Sequence, residues 1–162
     1  MHQVATSLES LTTQLRARRL FAADLIGAGA CSSQVETFQE LFPNGGVVPT
    51  LELCLRHAGT FAWNWAAEKL LSPRGYFAYK AATAQALAAH DAATAQALAA
   101  CEEAQKAARD QAWDAANEEA WDQAWGAYHA ARAQASYDEA RAQASYDEAR
   151  AQAWFEQWSY DA

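Results

Sequence analysis

ATAQALAAHDA at residues 82–92, ATAQALAACEE at 93–103, ARAQASYDE at 131–139 and again at 140–148, then ARAQAWFEQ at 149–157: these tandem units dominate the second half of the chain. They lie within Phe77–Ala162, a stretch of 86 residues without proline and with one glycine, Gly126. Alanine is the strongest helix former, and Gln, Glu, Arg and Leu follow it closely. Helix is therefore the expectation throughout. Eleven residues make three turns plus about 20°, so Thr83, Leu87, His90, Thr94, Leu98 and Cys101 should form one narrow stripe suited to an alanine-rich neighbour. Nine residues make about two and a half turns. Tyr128 and Tyr146 should thus share one face of the helix, and Tyr137 and Phe155 the opposite one. Asp138 with Arg141, and Asp147 with Arg150, are spaced for i,i+3 ion pairs.

A continuous helix of this length would run about 130 Å and leave many rings in water. The arm is expected to fold back as a hairpin or bundle, or to dimerise. Asp110, Asn117 and Gly126 are the candidate turns. Trp121, Trp125 and Tyr128 stand at i, i+4 and i+7, with Trp113 two turns earlier, the spacing of a helix–helix contact.

The preceding residues read as a compact head of short helices. Thr6 and Glu9 have capping-box spacing ahead of Leu8, Leu11 and Leu15, which suggests a first helix from about Ser7 to Ile26. Its arginines, Arg16, Arg18 and Arg19, fall mostly off that stripe. Gly27 and Gly29 should stop it. Ser32 or Ser33 should cap a second helix carrying Val35, Phe38 and Phe42, broken by Pro43-Asn44-Gly45-Gly46. Thr50 should cap a third, with Leu51, Cys54, Leu55 and Ala58 on one face and Gly59 at its end. Thr60 should cap a fourth, whose Phe61, Trp65 and Leu70 enter the core and whose Trp63 stays partly at the surface. Pro73 and Gly75 close the head. The chain thus reads as all-α: a head over 1–73 and a repeat arm over 76–162.

The segments Cys31–Phe38, Leu41–Gly45, Pro49–Leu53, Phe61–Ala67 and Leu70–Pro73 resemble a group of small bacterial and phage proteins that carry such a head before an alanine-rich arm of Tyr/Glu/Arg repeats. The resemblance covers residues 29–79, and the repeat style covers the rest. It implies the architecture of a head and an arm. The overall style is also similar to alanine-rich helical immunity proteins of toxin systems.

Composition narrows the function. Residues 1–80 hold seven Lys/Arg and six Asp/Glu, whereas 81–162 hold five and fourteen, so the arm carries the whole acidic excess of the −8 net charge. Such a surface repels nucleic acid and attracts basic protein surfaces. No run of eighteen apolar residues marks a membrane span. Cys31, Cys54 and Cys101, an odd number without CxxC spacing, fit reduced thiols in a cytosolic protein. No metal-ligand spacing surrounds His57, and no cofactor motif is present. His90 and Asp91 are neighbours in sequence, which should keep their side chains apart on a helix. An enzyme built on His57, His90 or His129 is the rival to a non-catalytic binding protein, and an immunity protein or a helical spacer are further alternatives. The densest charge lies between residues 102 and 122, where seven acids face two bases. Glu102, Glu103, Asp110, Trp113, Asp114, Glu118, Glu119, Trp121 and Asp122 are the candidate partner-binding residues, aromatic anchors ringed by charge. The expected partner is the basic surface of a protein or nucleoprotein complex. The expected role is an anti-CRISPR-like inhibitor that blocks a defence nuclease in phage–host conflict.

Overall fold

The computed structural model describes residues 19–114 and 118–161, the side chains of 112–114 and 118 excepted. The fold is all-α. A two-residue strand, β1 (Leu20–Phe21), leads into α1 (Ala22–Gly27) and α2 (Ser32–Leu41). A second short strand, β2 (Gly46–Val47), precedes α3 (Leu51–Arg56) and α4 (Trp63–Leu70). Two long helices follow, α5 (Pro73–Asp114) and α6 (Glu118–Asp161), and they pack against each other. The chain forms two compact units, one of residues 1–82 with 150–162 and one of 83–149. The unbroken repeat copies therefore belong to the second unit, apart from Ala82. The degraded copy from Ala149 onward belongs almost entirely to the first.

In the first unit, the expected helix from Ser7 to Ile26 does not run through Leu20–Phe21. These two residues pair antiparallel with Gly46–Val47, and the helix begins at Ala22. The Phe21 ring lies over Gly46, where a Cβ would come within 2.5 Å of a ring carbon and make the ring shift. The Phe21 N–H donates to the Asp24 carboxylate at 2.8 Å, which fixes the first turn of α1. The Thr6–Glu9 box, Arg16 and Arg18 lie outside the described residues, and Arg19 is exposed.

Capping followed the sequence at one helix only. Thr50 Oγ1 accepts the Leu53 N–H at 3.2 Å and starts α3. At α2 the N-cap is Cys31, not Ser32 or Ser33. At α4 it is Ala62, not Thr60, and the Gln34 side chain accepts the Ala62 N–H at 3.3 Å at the surface. No side chain caps α4. α3 already ends at Arg56, so Gly59 lies in the turn beyond it. Pro73 opens α5, as a proline at the first helical position can, and Gly75 sits buried in its first turn.

The core of this unit gathers Leu25, Val35, Phe38, Cys54, Trp63, Ala67, Leu71 and Tyr79 with Ala151, Trp154 and Trp158. Trp63 is 5% exposed and central, while Trp65 packs at the periphery, the reverse of the sequence expectation. The indole N–H of Trp63 donates to the Ala58 carbonyl at 2.7 Å, which lets it be buried without an orphaned donor. Leu51 and Leu55 are exposed at the edge of α3 rather than joining Cys54 and Ala58 in the core. At the end of the chain, Asp161 accepts from the Ser72 N–H and the Ser72 hydroxyl, both at 2.8 Å, across the start of α5.

In the second unit, Asp110 and Gly126 lie inside helices, so neither is a turn, and Asn117 lies outside the described residues. Leu87 and Leu98 are 42% and 56% exposed, outside the seam expected of them. The seam is mostly alanine, with a few rings: Thr83, Ala86, His90, Ala93, Ala97, Cys101, Ala104 and Ala108 on α5, and Ala124, Tyr128, Ala131, Ala135, Asp138, Ala142, Tyr146 and Ala149 on α6. The steps are of three and four, and a doubled step of four makes seam positions recur at eleven residues, as at His90 and Cys101 or Ala86 and Ala97, and not at nine. Leu87 and Leu98 point away from this row, and alanine with a few rings takes the contact in their place. Tyr128 and Tyr146 share the inner face as expected, but Tyr137 is 63% exposed, so α6 is covered on one side at that level and not sandwiched. The acids of the repeats are held by glutamine: Gln134 donates to Asp138 at 3.1 Å, and Gln143 to Asp147 at 2.9 Å. No ion pair joins Asp138 to Arg141 among the described residues.

Candidate functional site

The acidic segment of the second unit is carried by the last turns of α5 and the first turns of α6. Helical geometry sends Glu102, Glu103 and Asp110 outward on α5, and Glu119 and Asp122 outward on α6; all five are exposed. Lys106 and Arg109 are exposed among them, and no ion pair engages any of these seven residues among those described. The backbones of Trp113, Asp114 and Glu118 are helical, and their side chains lie outside the described residues.

Trp121, Trp125 and Tyr128 line a groove of about 360 Å³ with Gln105, Ala108 and Arg109. The stripe is half inside: Ala124 is buried beside it, while Trp121 and Trp125 remain 47% and 49% exposed. Their rings stack at 5.6 Å and 13°, and His129 meets Trp125 edge-on at 4.8 Å. The i,i+4 spacing brings the two indoles parallel, so a continuous apolar surface faces out of the groove. Large exposed apolar surface rimmed by charge marks an interaction site. Glu119 and Asp122 flank Trp121 in sequence on the first turns of α6 and project from other sides of the helix, so the charged side chain that shares the groove with the indoles is Arg109.

The three described histidines, His57, His90 and His129, are each held against rings. His57 lies 6.2 Å from Phe42 and 6.1 Å from Phe61, both edge-on. His90 lies 5.4 Å from Tyr146, and His129 packs on Trp125 and Tyr128. Contrary to the sequence expectation, His90 Nδ1 and Asp91 Oδ1 meet at 3.2 Å. Adjacent helical residues diverge at Cβ, but the imidazole and the carboxylate reach back toward each other. Among the described residues no group of three or more His, Cys, Asp or Glu is arranged to hold a metal ion. No described helix is long and apolar enough to cross a membrane.

Two thiols differ sharply. Burial pushes the Cys54 thiol up to about 12. Cys31 is exposed, and the Ser33 hydroxyl, 3.4 Å from its sulfur, followed by the Gln34 backbone N–H, holds its pKa below the usual thiol range.

A second apolar space lies in the first unit, a cavity of about 60 Å³ lined by Phe38, Phe42, His57, Phe61, Trp63 and Trp154 among others. Sequence reasoning missed the part played by Trp154 and Trp158, which stack at 5.1 Å in that core and are 2% and 3% exposed. A signal existed. The third nine-residue copy replaces Ser with Trp154 and Tyr with Phe155, so the repeat loses fidelity where the helix enters a core. Comparison with protein-family models, with curated proteins and with solved structures returned no match.

Proposed function

We propose that the protein is a non-catalytic binding protein whose acidic, tryptophan-bearing face covers a basic surface of another protein or nucleoprotein complex. In the setting the sequence resemblance suggests, it acts as an inhibitor of a defence nuclease in phage–host conflict. The observation that carries this reading is two half-exposed, stacked indoles on helix turns that also carry exposed acids, none of which enters an ion pair among the described residues. A machine that handles nucleic acid presents a basic groove, and carboxylates on a helix offer it a substitute for phosphate. The indoles supply desolvated area and stack well on arginine, as interface anchors do.

The test is capture from a bacterial lysate on immobilised full-length protein, compared with the Glu118→Gln, Glu119→Gln, Asp122→Asn variant. A specific partner should be retained at low salt and released as screening contracts to about 8 Å near physiological ionic strength. The variant should retain it poorly, and replacement of His57, His90 and His129 by Gln should leave capture intact. A partner held equally by the variant and unaffected by salt would overturn the acidic face. Loss of function on histidine replacement in a folded protein would favour an enzyme.

A further inference from the structure

The second unit has very little core of its own. Its buried side chains, among the described residues, are Thr83, Ala97, Ala124 and Ala135. Along the middle of the same unit, away from the tryptophans, runs a groove of about 530 Å³ between α5 and α6. Ala86, Ala89, Ala93 and Ala100 line it from α5, and Ala142 and Ser145 from α6, so a helix could lie close against both.

Two charged residues line this groove, Asp138 and Arg141, three positions apart on α6. Arg141 is exposed and enters no ion pair among the described residues, while Asp138 is half-buried with only the neutral Gln134 amide donating to it. We infer that this groove is an interface for a second copy of the chain, paired by a two-fold axis that passes between Asp138 and Arg141. A two-fold contact is self-complementary, since residue i meets j and j meets i. Turning one copy about that axis sets Asp138 of each against Arg141 of the other. A groove with one acid and one base does not select a basic partner; it selects the same two charges in reverse order. The strongly acidic 102–122 segments are carried to opposite ends of the pairing, where they do not repel. This inference does not rest on the function of the acidic face.

The experiment is sedimentation equilibrium of the full chain from about 1 µM to about 1 mM, the range expected of a modest interface. A concentration-dependent dimer should form. Asp138→Arg and Arg141→Asp should each weaken it about tenfold or more, because like charges then face each other across the axis. The double exchange, Asp138→Arg with Arg141→Asp, should restore it, because the swapped pair is again self-complementary. Circular dichroism of each variant confirms that the helices persist. A monomer throughout this range overturns the inference, and so does a dimer that the single exchanges leave unchanged or the double exchange fails to restore.

Discussion

Trp63 and Trp154 lie in one core with ring centroids 5.4 Å apart and differ in a single bond. The Trp63 indole N–H reaches a carbonyl, whereas Trp154 Nε1 is buried with no acceptor among the described residues. A buried donor without a partner costs free energy, and so does a carbonyl stripped of its donor. Trp154→Phe should therefore change stability by less than about 1 kcal/mol, because lost packing is offset by removal of the orphan. Trp63→Phe should cost about 1–3 kcal/mol more, read from urea unfolding midpoints. The thiols give a second test. At about pH 8 an alkylating reagent should modify Cys31 first and reach Cys54 only on unfolding, since the thiolate is the nucleophile. The sign for stability follows from burial: the Cys54 pKa is raised from 9.0 to about 12 in the folded state. Its contribution is complete below about pH 9 and falls as pH rises from there toward 12.

Glycine has opposite meanings in the two long helices. Gly126 on α6 has nothing within 4 Å of a would-be Cβ, so Gly126→Ala should stabilise by about 0.5–1 kcal/mol. At Gly75 on α5 the same atom would lie 2.6 Å from the Asp161 carboxylate. Gly75→Ala should displace Asp161 from Ser72 and lower the thermal midpoint despite the better helix former. Much of this level was legible in sequence: the short helices, the helical arm, the break at Pro43–Gly46 and the Thr50 cap follow from local residue types. What escaped was contact between distant residues. Trp63 and Trp65 are indistinguishable by pattern, and only the approach of Ala58 and Trp154 decides between them. Leu87 and Leu98 looked like the seam because they are the largest apolar residues of their repeat. The helix turns them outward, 42% and 56% exposed, while Ala97 and Ala135 are buried. On the acidic segment, the residue types marked exposed carboxylates and the i,i+4 spacing marked the Trp121–Trp125 pair, but the groove beside Arg109 depends on α5 facing α6.

For the molecule as a whole, the repeats set a geometric rule. Identical copies meet different surroundings, with Tyr137 exposed and Tyr146 against His90. Tyr137→Ala should shift stability by no more than about 0.5 kcal/mol, while Tyr146→Ala should cost about 1–3 kcal/mol, measured side by side by chemical denaturation. Deleting one nine-residue copy removes about two and a half turns and points everything beyond it to the other side of α6. Trp154 and Trp158 could not then face their core while Tyr128 faced α5, so a cooperative thermal transition should be lost. Two copies together span eighteen residues, which is about five complete turns. For a gene that lengthens or shortens by copying errors in a tandem repeat, single steps of nine codons are structurally forbidden and double steps preserve every face. Lineages of this chain should accordingly differ in length by pairs of units, and the intact pair at 131–148 is the smallest inheritance that such a rule permits.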